Sequence, residues 1–279
     1  MITGTTRLAA VIGSPVGHSL SPVIHNAAFL DGGLDWVYAA FEVAPGAAVD
    51  ALAAMRVLGI AGLSVTMPHK DDVASAVDVL DPAASALRSA NTVVLQPDGR
   101  LAGHSTDGAG FVASLYEAGV DPDGMNVAVL GAGGAARAVI DSLTRGGAAH
   151  IAVVNRSPDR ARVAAALAGE RGSVGGAADI TTADLVVNAT SIGMGSLDTP
   201  CDLDLLRAGQ VVADVVYHPL ETAFLTAARA RGATAVDGLG MLVQQAVLQQ
   251  ELWTGQRPNP AVMRAAAEQE LADRAATLR

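Results

Sequence analysis

The chain has 279 residues, a formal net charge of −10, 51% hydrophobic residues and only 3% aromatic ones. The length allows one large domain or two ordinary ones, with an interior built of Ala, Val and Leu. The acidic balance speaks against nucleic-acid binding, and no apolar run reaches the ~18 residues of a membrane span, so a small-molecule partner is expected.

Met1 to Gly13 carries a single Arg and no signal-peptide core, and the one cysteine, Cys201, permits no intrachain disulfide. Both features fit a cytoplasmic protein. In chain order, RLAAVIG, WVYAAFEV and IAGLSVTMP read as strands, with SPVIHNAAFLDGG and GAAVDALAAMRVLG between them as helices. NTVVLQPDGRLAGHS reads as two strands about a Pro-Asp-Gly turn, Gly99 taking the positive φ such turns need. A helical segment follows Asp107 as far as Ala118, and then the turn formers Asp121 to Gly124.

From Met125 the pattern restarts as strand, glycine turn and helix. HIAVVNR, ADLVVNATS, QVVADVVYH and ATAVDG continue as short buried strands separated by helices, the signature of a parallel sheet covered on both faces. Two long helices close the chain. The expected fold is two α/β domains. The first, residues 1–107 completed by helices 242–279, has a mainly parallel sheet; the second, residues 108–241, is a Rossmann-like dinucleotide-binding domain.

Gly131-Ala132-Gly133-Gly134-Ala135-Ala136 matches G-x-G-x-x-G/A directly after a strand and at a helix start. Gly131 permits the tight turn, Gly133 lets the backbone approach a pyrophosphate, and Ala136 is small enough for close helix–strand packing. An NAD enzyme usually carries an acidic residue at the end of the next strand for the ribose 2′-hydroxyl. Here stand Asn155, Arg156, Ser157 and Arg160. Two guanidiniums and a hydroxyl suit a 2′-phosphate, so the expected cofactor is NADP.

Polar clusters interrupt the first half. Ser19 and Ser21 stand at a helix mouth, where hydroxyls and free N–H groups can hold a carboxylate; the alternative is plain N-capping by Ser21 with Pro22 after it. Thr66, His69 and Lys70 end a strand, and Asn91, Thr92 and Asp107 follow. Gly103-His104-Ser105 opens like the Gly-x-Ser-x-Gly elbow of a serine hydrolase, but Asp107 stands where the second glycine belongs.

Together these motifs resemble the shikimate dehydrogenase family over nearly the whole chain. G-x-P-x-x-H-S-x-S-P-x-x-H-N reads as Gly13 to Asn26, N-V-T-x-P-x-K as Ser64 to Lys70, and A-N-T as Ala90 to Thr92. G-x-N-T-D is Gly103 to Asp107, G-A-G-G-A-x-R is Gly131 to Arg137, and N-R-[TS]-x-x-R is Asn155 to Arg160. V-N-A-T-x-x-G-M, V-x-Y-x-P and G-M-L-V-x-Q-A follow at Val187, Val215 and Gly240. The resemblance implies reversible NADPH-dependent reduction of 3-dehydroshikimate to shikimate in chorismate and aromatic amino-acid biosynthesis. It implies Lys70 as acid/base with Asp107 as partner. Asn91 would bind the same hydroxyl edge, while Ser19, Ser21, Thr66, Tyr217 and Gln245 would contact carboxylate and ring. Gly131, Ala132, Gly133, Gly134, Ala135, Asn155, Arg156, Ser157, Arg160, Thr190 and Gly238 would hold the cofactor.

Ser64 and Ser105 replace asparagines of the family pattern, and a hydroxyl reaches less far than an amide. A quinate/shikimate enzyme using NAD, or an aminoshikimate-type enzyme, would share the fold. Thr in place of Ser21 would favour quinate, and Arg156 with Arg160 speaks against NAD. A non-catalytic NADP-binding regulator is the rival of another class; the pair Lys70 and Asp107 speaks against it. His18, His25, His69 and His104 lack zinc spacing, so no metal is expected. The protein is expected as a monomer or homodimer.

Overall fold

The computed structural model describes residues 1–277. The chain forms two compact units, Met1–Thr106 with Gln245–Arg279 and Asp107–Gln244. Residues 278 and 279, which end the segment expected to complete the first domain, lie outside the described residues.

In the first unit, β1 (Arg7–Gly13) is followed by α1 (Ser21–Asp31), β2 (Trp36–Glu42), α2 (Ala48–Leu58) and β3 (Gly62–Val65). β1 pairs in parallel with both β2 and β3, as the intervening helices require. Then come α3 (Lys70–Ala76), β4 (Val79–Leu80), α4 (Pro82–Leu87), β5 (Thr92–Leu95) and β6 (Leu101–His104). β5 and β6 form the expected hairpin, with Gly99 at φ 83°. β3 pairs antiparallel with β5 and β4 parallel with β6, giving the order β2-β1-β3-β5-β6-β4.

Side chains alternate across this sheet. Ala10, Ile12, Leu63, Val65 and Val93 pack under Leu52 and Met55 of α2 and Val73 of α3. Ala9, Val11 and Tyr38 take the other face, with Phe29 of α1 and Trp253. The Trp253 indole donates to the Val93 carbonyl at 3.1 Å and lies where a Cβ on Gly62 would stand. Gly62→Ala therefore overpacks this face and should cost about 2 kcal/mol, read as a lowered Tm; an unchanged Tm would contradict the contact.

The second unit runs through α5 (Asp107–Glu117), β7 (Asn126–Leu130), α6 (Gly134–Arg145), β8 (His150–Val154), α7 (Pro158–Ala165) and β9 (Gly172–Val174). It continues with α8 (Ala177–Thr182), β10 (Leu185–Asn188), β11 (Val211–Asp214), α9 (Ala223–Ala230) and β12 (Thr234–Val236). Every pairing is parallel, in the order β12-β11-β10-β7-β8-β9. Val127, Val129, Leu185 and Val187 face one core, and Ala128, Leu130, Val186 and Val212 the other. Burial on both faces is why these strands read as unbroken apolar runs. The order reverses between β7 and β10, which opens a crevice at their carboxyl ends.

Helix α10 (Gly238–Thr254) begins in the second unit and belongs to the first from Gln245 onward. α11 (Pro260–Thr277) packs on α1. Among the described residues no helix is long and apolar enough to cross a membrane.

Candidate active site

In the second unit, the glycine turn sits at the carboxyl end of β7. Gly131 has φ 115°, and a Cβ there would come within 2.9 Å of Thr190 Cγ2 and 3.0 Å of the Ala189 carbonyl oxygen. Only glycine meets both demands. A Cβ on Gly133 or Gly134 would meet nothing within 4 Å, so the backbone here borders open space. Gly133 is the N-cap of α6 without a side-chain cap, and Ala136 is fully buried against the sheet. An uncapped helix start beside an open glycine turn fits a pyrophosphate.

Ala132, Gly133 and Gly134 line a pocket of about 390 Å³ together with Arg137, Asp159, Arg160 and Val163. Arg137, the last residue of the glycine motif, is a further cation that the residue-by-residue expectation omitted. Ala135, half-buried, and exposed Arg156 are not part of that lining. Ser157 caps α7, accepting the Arg160 N–H at 3.4 Å, and Asn155 donates to the Ser157 carbonyl at 3.1 Å. This turn holds Arg156 and Arg160 at the end of β8, where an anionic partner offsets cations at a helix start.

Thr190 is held by Asn188, whose side-chain carbonyl accepts the Thr190 N–H at 3.1 Å and its hydroxyl at 2.7 Å. Asn188 in turn donates to Asp214 at 2.8 Å. Asp214 also accepts from the Val216 N–H and the Thr222 hydroxyl. Burial raises its carboxyl above the usual range, opposed by these bonds from Val216, Thr222 and Asn188. Sequence reasoning missed Asp214, because a lone acid at a strand end carries no motif by itself. Gly238 opens α10 where a Cβ would stand 2.6 Å from the Val215 and Val216 carbonyl oxygens, and half-buried Tyr217 follows β11. Asp107 is the first residue of α5 and of this unit.

In the first unit, Ser19 and Ser21 lie at the start of α1. The helix N-cap is Leu20, with no side-chain cap bond, and Ser19 Oγ accepts the Ser21 N–H at 3.2 Å. Ser21 is therefore not spent as a cap. Thr66 follows β3; its N–H donates to Ile12, and its methyl lies where a Cβ on Gly13 would stand. Half-buried Lys70 opens α3, and its backbone carbonyl accepts the Ala90 N–H, which ties it to the Asn91 segment. Gln245 is buried in α10.

Asn91 and Thr106 lock together. The Asn91 side-chain carbonyl accepts the Thr106 N–H at 2.8 Å, and its amide donates to Thr106 Oγ1 at 2.9 Å. Asp107 comes directly after. Upstream, Asp81 caps α4 through the Ala84 N–H, pairs with His104 Nδ1 at 3.2 Å and accepts the Ser105 N–H at 3.4 Å. Ser105 is thus a backbone donor in a held strand end. His69 is buried with Nε2 2.8 Å from the Val43 carbonyl, a packing role. Among the described residues no group of three or more His, Cys, Asp or Glu is placed to hold a metal ion.

His25 is fully buried and stacked on Tyr38, ring centroids 4.4 Å apart. Burial lowers its pKa from 6.5 to about 4, opposed by the neighbouring Gln250 and Gln249 side chains. The unfolded chain therefore binds the extra proton between about pH 6.5 and 4, and stability, full above 6.5, falls as pH drops toward 4. The loss should reach about 3 kcal/mol. Urea midpoints at pH 7 and 4.5 measure it, and His25→Gln should flatten the dependence; equal slopes for both proteins would exclude His25 as its source.

Residues 11–93 match the shikimate dehydrogenase substrate binding domain, residues 117–193 the shikimate / quinate 5-dehydrogenase model, and residues 238–268 the shikimate 5′-dehydrogenase C-terminal domain. A shikimate dehydrogenase (NADP(+)) of Moorella thermoacetica is 45% identical over 94% of this chain and 92% of its own length. The shikimate 5-dehydrogenase of Thermus thermophilus, solved with NADP(H) and shikimate, superposes with a TM-score of 0.89 at 36% identity, covering 94% of this chain and 99% of that one. A quinate dehydrogenase of Corynebacterium glutamicum, solved with NAD, superposes with a TM-score of 0.87 at 33% identity, covering 94% and 98%. By this agreement of sequence and fold, the chain belongs to the shikimate dehydrogenase family.

Proposed function

We propose that the chain is an NADP-dependent oxidoreductase that reduces the ketone of 3-dehydroshikimate to the alcohol of shikimate, reversibly. The carrying observation is that a chain matched almost end to end by shikimate dehydrogenases retains both Lys70 and Asp107 together with a glycine turn and an Arg-bearing β8 terminus. A regulator has no use for an acid/base pair.

Bound NADPH supplies the hydride. Gly131 to Ala135 and the start of α6 take its pyrophosphate, Thr190 and Gly238 border its site, and Asn155 with Ser157 sets Arg156 and Arg160 on the 2′-phosphate. Lys70 holds the proton that the nascent alkoxide needs and takes it back in the oxidation direction. Asp107 is the second member of the acid/base pair. Ser19 and Ser21 bind the carboxylate side, Thr66, Tyr217 and Gln245 the ring, and Asn91 the hydroxyl edge. Most of the substrate residues belong to the first unit and the cofactor residues to the second. The protein acts in the cytoplasm on a small molecule, without nucleic acid, as a monomer or homodimer.

Expression in a bacterium lacking its own shikimate dehydrogenase tests this. Growth without added aromatic amino acids is the expected result. No growth despite soluble, folded protein would overturn it.

A further inference from the structure

A chain of buried hydrogen bonds crosses the first unit beneath its proposed substrate residues. Tyr38 Oη donates to Ser64 Oγ at 2.6 Å, and Ser64 donates to Gln249 Oε1 at 2.7 Å. Gln249 Nε2 donates to Thr92 Oγ1 at 3.0 Å, and Thr92 donates to Asn91 Oδ1 at 3.0 Å. Every member is buried, and Gln249 and Thr92 are exposed by only 1% and 0%.

Each proton in this series is committed by the one before. Ser64 receives from Tyr38, so its own proton goes to Gln249. His25 Nε2 lies 3.3 Å from the same Gln249 oxygen, and because an amide oxygen only accepts, the ring nitrogen is the donor there. Two donors on Oε1 fix the Gln249 amide with its nitrogen toward Thr92. Thr92 then accepts, and its proton is left for Asn91. A side-chain amide turns over with almost no change of shape, so only its bonds select one orientation. Facing the Thr92 hydroxyl and the Thr106 N–H, Asn91 must keep its carbonyl inward.

We propose that Gln249 and Thr92 are positioning residues of the substrate site, which together with Thr106 hold the Asn91 amide in one orientation and tie it to Ser64 and Tyr38. The proposal rests on the assignment of Asn91 to shikimate. It also explains Ser64: the hydroxyl that replaces an amide is a link in this relay and takes a donor and an acceptor at once. A buried polar series of this kind gives up stability that apolar side chains would supply, and its return is a single orientation at the site.

Thr92→Val keeps the side-chain shape and removes the hydroxyl. Because Asn91 holds substrate equally before and during reaction, KM should respond and kcat should not. KM for shikimate should rise about tenfold, the worth of one well-made hydrogen bond, with kcat within about threefold and KM for NADP+ unchanged. Thr92→Ser should restore KM. Should Thr92→Val fail to fold, Tyr38→Phe, which loses one hydroxyl at the far end, should raise KM in the same direction by about threefold. A lowered Tm with unchanged KM for shikimate, or Thr92→Ser as impaired as Thr92→Val, would reduce the series to structure and overturn the proposal. Wild-type protein inert toward shikimate would overturn the assigned reaction and this proposal together; normal wild-type turnover with insensitive variants overturns the positioning role alone.

Discussion

Lys70→Ala should lower kcat by about three orders of magnitude, within the range that a general acid/base contributes. Lys70 opens α3, and other residues anchor that helix. Val73 and Ala74 carry the burial of that helix, and the Ala90 N–H bonds the backbone of Lys70. The variant should therefore fold and bind NADP+ with unchanged affinity, since the glycine turn belongs to the other unit. Lys70→Arg should rescue little, because a guanidinium stays protonated and cannot pass its proton back and forth. Stopped-flow or steady-state turnover, with NADP+ affinity measured in parallel, checks both halves. Near-normal turnover in Lys70→Ala would remove it from the chemistry. Loss of NADP+ binding together with turnover would point to misfolding, which a thermal melt would expose.

Arg156→Ala should weaken NADP+ binding about 30-fold and leave NAD+ binding nearly untouched, the difference expected for one charge-assisted contact to the 2′-phosphate. Arg156 is exposed at the end of β8 and Arg160 stands in the first turn of α7. Neither supports the core, so a general loss of stability is not expected. Arg160 also lines the glycine-turn pocket with Arg137, so Arg160→Ala should weaken both nucleotides somewhat and NADP+ more. The contrast between the two variants separates phosphate recognition from general attraction of an anion. Equal losses for both cofactors in Arg156→Ala would reject the clamp.

The second unit was legible because each signal was local. Asn126 to Arg145 holds strand, turn and helix within one stretch, and the demands on Gly131 and Ala136 follow from the turn itself. The β5–β6 hairpin was legible for the same reason, through Pro97-Asp98-Gly99. Strands β4 and β9, of two and three residues, are too short for any period to show. They exist because Val79 pairs with Ala102, and Ile151 with Gly172, across the sheet.

At the site, local reading left Ser21 open between capping and binding; the structure frees it, because Leu20 is the cap. Gln249 was invisible. It lies 157 residues from Thr92 and 185 from Ser64, and nothing in the text of α10 distinguishes it from its glutamine neighbours. Asp214 and Tyr38 were missed likewise, since each matters through partners that only the fold brings to it. Ser64 looked like a loss against the family pattern. With Tyr38 and Gln249 in place it is a consistent local solution.

The reaction itself is tested most directly by absorbance at the NADPH band. Purified protein would be given shikimate or quinate, each with NADP+ or NAD+. Fast reduction is expected with shikimate and NADP+, and far slower change in the other three mixtures. Preference for quinate or for NAD+, or silence in all four, would contradict it.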